Sequence, residues 1–233
     1  MSIKTKYAPA SLDDVVYPDE ATEFIVKSLA DGSLNEHAIF YGPRGTAKTT
    51  TANLLAKAIG GSAARIESDF QNLMTMPSLK SYLQQSCFTA RLLYDSNLIL
   101  LFNEFDNYKP TPYQLWDAMD ELQDKGLMLI ITTNDLMAIH ASIRSRCRLI
   151  EFSAVSAIAM LPRAQLILNT EGLSLPDEQV LSYLKGYERF GDFRKYFELL
   201  DELLLIQKSG LPFPQWGGQK PNLTIVNPKK PKE

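Results

Sequence analysis

The sequence is poor in cysteine. It contains only Cys87 and Cys147 among 233 residues, and the two show no metal-ligand spacing. This pattern does not indicate a disulfide framework or a cysteine-based metal centre. We expect two free thiols in a reducing cytoplasm, with Cys147 flanked by arginines.

The sequence also lacks long apolar runs and visible internal repeats. No run approaches the roughly 18 residues that are needed to span a bilayer. The basic residues at the N-terminus are not followed by the apolar core of a signal peptide. We therefore expect no membrane partner and a cytoplasmic localisation.

The sequence has no general excess of positive charge, since its net charge is −3. Residues 207–233 carry five lysines and one glutamate, a charge of +4, so residues 1–206 carry −7. A mildly acidic body argues against indiscriminate binding of nucleic acid. Any contact with DNA would have to come from local basic groups.

Short apolar runs alternate with helical stretches through about residue 152. The runs are HAIFY (37–41), ARIES (64–68), LILLF (98–102), LMLIITT (127–133) and RLIEF (148–152). Continuous apolar runs suit strands that helices cover on both faces. The pattern therefore predicts an α/β fold with a parallel sheet.

The β pattern disappears after Ser153. Three segments with proline or glycine punctuation then read as helices: residues 158–172, 176–188 and 191–208. We predict an α/β nucleotide-binding domain over residues 1–152, a small helical lid domain over 153–206 and a Pro-rich basic tail over 207–233. The tail is either a flexible terminus or a docking peptide anchored by Phe213 and Trp216.

The stretch YGPRGTAKTT predicts a phosphate-binding loop. It follows the run HAIFY and opens a helical stretch, which is the strand–loop–helix context that a P-loop requires. Backbone N–H groups and the helix N-terminus would face the phosphates of ATP. Lys48 would reach the β- and γ-phosphates, and the Thr49 hydroxyl would bind Mg²⁺. The predicted nucleotide-binding residues of this segment are Gly42, Pro43, Arg44, Gly45, Thr46, Ala47, Lys48, Thr49 and Thr50.

Ala47 stands where such loops usually carry glycine. Its methyl group is tolerated if the residue has a negative φ, as in the first turn of a helix. A positive φ at Ala47 would be costly.

The run LILLFNEFD ends in acidic residues, as the hydrolysis strand of an ATPase does. Aligning the apolar run puts Asn103 at the position of the metal-binding aspartate and Glu104 at the position of the base. Asn103 keeps an acceptor oxygen but lacks the negative charge that Mg²⁺ prefers. We expect ATP and Mg²⁺ to bind and hydrolysis to be slow. Asp106 is interpreted as a solvated loop acid.

With these motifs in place, the chain resembles the AAA+ ATPases, and within them the sliding-clamp loaders, particularly the large subunit of the phage type. The likeness covers about residues 5–205. KYAP (6–9) looks like the family segment that borders the adenine, which implies roles for Tyr7 and Pro9, while Ala8 replaces an arginine of that segment.

Three further motifs follow in the family's order. ITTND looks like sensor 1, which implies that Asn134 positions water or the γ-phosphate. SRC (145–147) implies that Arg146 reaches into the ATP site of a neighbouring subunit. GDFRK looks like sensor 2, with Arg194 on the lid. Each is alternatively an ordinary turn residue or a solvated arginine, and only their order and spacing support them together.

The resemblance also implies partners. A chain with both a P-loop and an arginine finger should assemble side by side into a homo- or hetero-oligomer. In clamp loaders the equivalents of residues 78–85 and 107–122 face primed or double-stranded DNA, so Lys80, Lys109 and Thr111 are candidates for phosphate contacts. They are equally well read as members of polar loops.

The resemblance has one departure. Clamp loaders usually carry a third helical domain that forms a collar, and about 27 residues after the lid are too few for it. The leading hypothesis is an ATP-driven clamp-loader subunit acting on DNA and a sliding clamp. Its rival is an ATP-binding oligomerisation module with little hydrolysis, and a third alternative is an ATPase of a mobile element or defence system.

Overall fold

The computed structural model describes residues 2–61, 65–67, 78–105 and 113–213, and the structural statements below concern these residues. Their strands form one parallel sheet in the order β2-β3-β4-β1-β5. The strands are β1 His37–Tyr41, β2 Arg65–Glu67, β3 Leu98–Phe102, β4 Leu127–Thr133 and β5 Cys147–Glu151. The predicted α/β fold with a parallel sheet is confirmed, and each of the five runs contributes residues to a strand.

The sheet is buried because its central strands are apolar on both faces. Every residue of β3 and β4 is buried. Alternate residues of these strands belong to two different hydrophobic clusters, one on each side of the sheet. The helices that form the two covering layers are α2 Glu20–Ala30, α3 Lys48–Gly60, α4 Leu79–Tyr94 and α5 Tyr113–Leu122. Leu100 and Leu129 face α4 and α5, whereas Leu101 and Ile130 face α2 and α3.

The C-terminal helices pack around a third cluster. They are α7 Ala157–Thr170, α8 Asp177–Glu188 and α9 Phe193–Ser209, and the short N-terminal helix α1 Ile3–Lys6 packs on α9. The short helix α6 Ala141–Arg144 precedes β5. Phe152 belongs to the cluster on the α2–α3 side of the sheet, whereas Val155 belongs to the cluster of the C-terminal helices. The predicted division of the chain into two domains and a tail stays a prediction.

The last helix extends to Ser209, three residues into the segment predicted as a tail. Phe213 is partly buried and packs against the cluster of the C-terminal helices. Phe213, one of the two suggested docking anchors, therefore contacts the C-terminal helices of its own chain. The other, Trp216, lies outside the described residues.

Both cysteines are free thiols, as predicted. Burial raises the pKa of the Cys147 thiol to about 12. Within the described ranges, no helix has the length and apolar character to cross a membrane.

Candidate functional site

A cavity of about 500 Å³ lies at the carboxyl ends of the strands. Four parts of the chain line it: the N-terminal segment, the loop after β1, the residues that follow β3 and β4, and the C-terminal helices α7 and α9. Because parallel strands point their carboxyl ends to one edge of the sheet, this edge is where ligands bind in open α/β sheets. The predicted site residues that line the cavity are Tyr7, Pro9, Arg44, Gly45, Thr46, Ala47, Lys48, Thr49, Thr50, Glu104, Asn134 and Arg194.

The loop between β1 and α3 requires glycine at two positions. Gly42 has a φ of 140°, and a Cβ on it would lie 2.3 Å from the carbonyl oxygen of Phe152. Gly45 has a φ of 78°, and a Cβ there would lie 2.1 Å from the carboxyl group of Asp192. The loop backbone therefore approaches both the end of β5 and the start of α9 more closely than a side chain would allow.

Lys48 lies at the start of α3 and is 6% exposed. Its Nζ donates to the carbonyl oxygens of Gly42 at 2.8 Å and Pro43 at 2.6 Å. The Thr46 hydroxyl donates to the same carbonyl of Pro43 at 2.9 Å. The loop thus wraps around the ammonium group and holds it at the wall of the cavity.

Ala47 adopts the costly one of the two conformations considered. It is the N-cap of α3, which begins at Lys48, and its φ of 67° lies in the left-handed region. An alanine in this conformation costs roughly 1–2 kcal/mol. Among the described residues, Ala47 and Glu104 are two of the three non-glycine residues with a positive φ, and both line the cavity. Such strain collects at functional sites.

Glu104 turns into the cavity directly after β3. Its φ is 52°, and its N–H donates to the Thr132 hydroxyl at 3.1 Å. The Thr132 hydroxyl in turn donates to Oδ1 of Asn103 at 3.2 Å. Thr132 therefore fixes both residues of the hydrolysis motif, a role that sequence reasoning missed. Its signal was a polar residue at the end of an otherwise apolar strand.

Neither of the two predicted metal ligands, Thr49 and Asn103, carries a charge. Mg²⁺ keeps several waters and uses one or two protein ligands together with phosphate oxygens. Thr49 lines the cavity and supplies a hydroxyl oxygen. Asn103, half-buried, supplies an amide oxygen that already accepts from Thr132. Thr49 therefore fits as a ligand in the cavity, whereas Asn103 is not among the residues that line it.

The N-terminal segment is tied to the C-terminal helices. The Tyr7 hydroxyl donates to Glu171 at 2.8 Å, and Nζ of Lys6 donates to the same oxygen at 2.6 Å. The hydrogen bond from Lys6 lowers the pKa of the Glu171 carboxyl. Arg163 of α7 donates to the carbonyl oxygen of Tyr7 at 3.0 Å and lines the cavity. Sequence reasoning missed Arg163 and Glu171, because both contacts join residues more than 150 positions apart.

Arg146 lies at the other end of the sheet. Its neighbour Cys147 pairs with His37, the first residue of β1, whereas the phosphate loop follows Tyr41 at the end of that strand. Four residue steps of about 3.3 Å separate the two ends by roughly 13 Å. Arg146 forms a two-point ion pair with Asp120 of α5, with both N–O distances at 2.6 Å. This hydrogen bonding lowers the pKa of the Asp120 carboxyl.

Of the suggested DNA contacts, only Lys80 lies within the described residues. Lys80 of α4 contacts two carboxylates of α5, Asp117 at 3.3 Å and Glu121 at a shorter distance. The hydrogen bond to Glu121 raises the pKa of Lys80. Lys109 and Thr111, like Asp106, lie outside the described residues. The DNA assignments stay predictions.

Comparison with known proteins gives a family match. Residues 38–154, about half of the chain, match the model of the AAA family, the ATPase family associated with various cellular activities. The matched segment contains the phosphate loop, the hydrolysis motif, Asn134 and Arg146.

The chain is similar to replication factor C subunits. It is 25% identical to replication factor C subunit 4 of Encephalitozoon cuniculi over 222 residues, which cover 90% of this chain and 70% of the relative. It is 28% identical to replication factor C small subunit 1 of Pyrobaculum arsenaticum over 198 residues, which cover 84% of this chain and 59% of the relative. The chain thus spans well under the full length of these relatives.

Solved structures share the fold at low identity. A RuvB variant of Thermotoga maritima superposes with a TM-score of 0.63 at 16% identity, covering 88% of this chain and 68% of that one. The replication initiator DnaA bound to AMPPCP and single-stranded DNA superposes with a TM-score of 0.57 at 17% identity, covering 88% and 66%.

Proposed function

Since the chain belongs to the AAA family of ATPases, we propose that it is a clamp-loader-like subunit in DNA replication. It binds ATP with Mg²⁺ in the cavity at the carboxyl ends of the strands and hydrolyses it slowly between the subunits of an oligomer. The observation that carries the proposal is the convergence of twelve predicted site residues from four parts of the chain on this cavity.

The phosphate loop supports binding of the triphosphate. The N-terminus of α3 and the loop N–H groups offer hydrogen-bond donors where a phosphate would lie. Lys48 brings a positive charge to the same wall of the cavity. Thr49 is the residue that would hold Mg²⁺, and the ion would neutralise charge on the phosphate oxygens.

The residues after β3 and β4 support hydrolysis. Glu104 lines the cavity and would accept a proton from an attacking water. Asn134 follows β4 and would orient that water or the terminal phosphate. Arg194 of α9 also lines the cavity and would interact with phosphate charge.

The position of Arg146 supports an oligomer. Roughly one strand length separates it from the phosphate loop of its own chain, so it can serve only a nucleotide that a neighbouring subunit binds. Arginine supplied in this way stabilises transition-state charge. The proposed arrangement is therefore a side-by-side assembly in which each cavity faces the α5–β5 side of the next subunit.

An exposed apolar surface on α4 supports a protein partner such as a sliding clamp. Phe88, Leu92 and Leu93 are all more than 60% exposed on the second half of this helix. Phe88 and Leu92 are one turn apart and therefore share a face. Apolar patches of this kind mark sites of protein interaction. Primed DNA as a second partner rests on the similarity to replication factor C subunits.

The domain division is part of the proposal. An α/β domain over residues 1–152 would bind the phosphates, and a helical lid over 153–206 would close the cavity. The N-terminal segment contacts the lid through Tyr7 and Lys6, which supports its movement with the lid although it precedes the α/β domain in sequence.

A second candidate function is an ATP-binding assembly module with little hydrolysis. Asn103 favours it, since a neutral amide replaces the carboxylate expected near the metal ion. The Thr132 hydroxyl also occupies the Asn103 oxygen as an acceptor. Such a protein would use bound nucleotide only to hold the oligomer together.

The two functions are separated by measuring mass and turnover on the same protein. Sedimentation with and without ATP and Mg²⁺ reports assembly, and phosphate release with and without a primed oligonucleotide duplex reports hydrolysis. Clamp-loader function predicts larger species with ATP and faster phosphate release with DNA. Larger species without phosphate release would favour the assembly module. A protein that binds no ATP and keeps its mass would contradict both.

A further inference from the structure

Asp192 lies where α9 meets the phosphate loop. It caps α9, and its carboxylate accepts the N–H of Arg194 at 2.8 Å. A Cβ on Gly45 would lie 2.1 Å from both Cγ and Oδ1 of Asp192, so the carboxylate packs directly on the loop. The next residue, Phe193, donates its N–H to the carbonyl oxygen of Gly45 at 2.9 Å. A negative charge is thus fixed beside the loop that would receive the phosphates.

The same carboxylate also holds the side chain of Arg194. Nε of Arg194 donates to Oδ1 of Asp192 at 3.2 Å, and Arg194 lines the cavity. The Arg194 side chain is 54% exposed. Because exposed ion pairs contribute only about 0–1 kcal/mol, this contact is easily exchanged for a stronger one. A phosphate group with more than one negative charge is such a competitor.

We propose that Asp192 is a positioning residue that holds the Arg194 side chain while the cavity contains no triphosphate. When ATP binds, its terminal phosphate replaces Asp192 as the partner of the Arg194 guanidinium. This inference rests on the proposed binding of ATP in this cavity. It goes further by naming Asp192 as a residue that limits the preference of the cavity for ATP over ADP. ADP lacks the terminal phosphate, so only ATP competes fully with Asp192 for the guanidinium.

The test is equilibrium binding of a non-hydrolysable ATP analogue and of ADP to the full chain and to Asp192→Asn. Asparagine caps helices as well as aspartate does, so the substitution removes the charge and keeps the cap. We expect affinity for the ATP analogue to rise about fivefold, at the low end of measured coupling between sites, with ADP affinity unchanged. The gain should disappear in an Arg194→Ala background, because the carboxylate acts through Arg194.

The matched control is Asp19→Asn, which makes the same change at the cap of α2, where Asp19 accepts the N–H of Thr22 at 2.7 Å. It should leave both affinities unchanged. An unaltered ratio of the two affinities in Asp192→Asn would show that Asp192 is a helix cap only. A gain that persists with Arg194→Ala would show direct repulsion of phosphate, which also overturns the inference. If the unsubstituted chain binds neither nucleotide, the proposed function itself fails, and that outcome is distinct from the others.

Discussion

Two basic side chains at opposite ends of the sheet, Lys48 and Arg146, are held in different ways. At the carboxyl end, Lys48 donates to two carbonyl oxygens of its own loop and lies at the wall of an open cavity. At the amino end, Arg146 makes a two-point pair with Asp120, and Arg148 makes another with Glu36 at 2.6 and 2.9 Å. Backbone carbonyls carry no net charge, whereas a carboxylate matches the guanidinium completely. The carbonyl contacts thus do not neutralise the charge of Lys48, whereas the charges of Arg146 and Arg148 are already neutralised in ion pairs.

The largest effect is expected at the amino end. Arg146→Ala should lower ATP turnover in the assembled state by about a thousandfold, because an arginine supplied by a neighbouring subunit stabilises transition-state charge. Affinity for ATP should stay nearly the same, since Arg146 lies far from its own cavity. The measurement is phosphate release at saturating protein beside a nucleotide titration.

Asp120→Asn is the matched variant for that experiment. It weakens the ion pair but keeps Arg146, so turnover should be retained or raised. Normal turnover in Arg146→Ala would identify Arg146 as a surface residue that serves only the fold.

A second prediction concerns the buried imidazole at the same end. The Nδ1 of His37 accepts the N–H of Leu129 at 3.1 Å, and burial lowers the pKa of His37 to about 4. In the unfolded chain the pKa is near 6.5, so the unfolded state binds a proton between these values while the folded state does not. The free energy of unfolding should therefore fall by about 3 kcal/mol between pH 6.5 and 4.

Urea unfolding at several pH values measures this slope. His37→Asn keeps an acceptor for Leu129 and should flatten the profile. The ion pairs of Asp120 and Glu36 also stabilise the folded chain less as the pH falls below the usual pKa of a carboxyl. This is because pairing with arginine lowers the pKa of both carboxyls. A profile that keeps its slope in His37→Asn would contradict the assignment.

At the carboxyl end, Lys48→Ala should weaken ATP binding by about a hundredfold, because it removes a nearly buried charge beside the phosphates. Lys57→Ala is the control, since Lys57 is exposed near the far end of the same helix. Equal affinities for the two variants in a nucleotide titration would remove the phosphate-loop assignment.

The smallest effect is expected from restoring a carboxylate. Asn103→Asp should raise turnover about tenfold if the stronger metal contact recovers about 1.4 kcal/mol of transition-state stabilisation. An aspartate can still accept from Thr132, so the fold should be unchanged. Glu104→Gln is measured in both backgrounds and should remove the activity. If neither substitution changes phosphate release, the chain is an assembly module. The difference between Lys48 and Arg146 would then concern nucleotide binding and not hydrolysis.

The sequence predicted the central strands β1, β3 and β4 well because their runs are mainly apolar and buried on both faces. It also predicted twelve of the residues that line the cavity, because they lie in short local motifs, but it missed Thr132 and Arg163. It left the sign of φ at Ala47 open, and the structure gives the costly positive value. It could not predict the pairs of Arg146 with Asp120 or of Tyr7 with Glu171, because these depend on how distant helices are placed against each other.

The position of Gly42 has a mechanical consequence. Phe152 donates its N–H to the carbonyl oxygen of Tyr41 at 2.7 Å, and its own carbonyl oxygen blocks any side chain on Gly42. The chain leaves the sheet at this point and joins the cluster of the C-terminal helices at Val155, so a movement of the proposed lid would turn next to the first residue of the phosphate loop. A rotation about this point would move the residues beside the phosphate loop very little. A helix of 17 residues such as α9 is about 25 Å long, so a turn of about 10° would displace its far end by about 4 Å while the phosphates scarcely move.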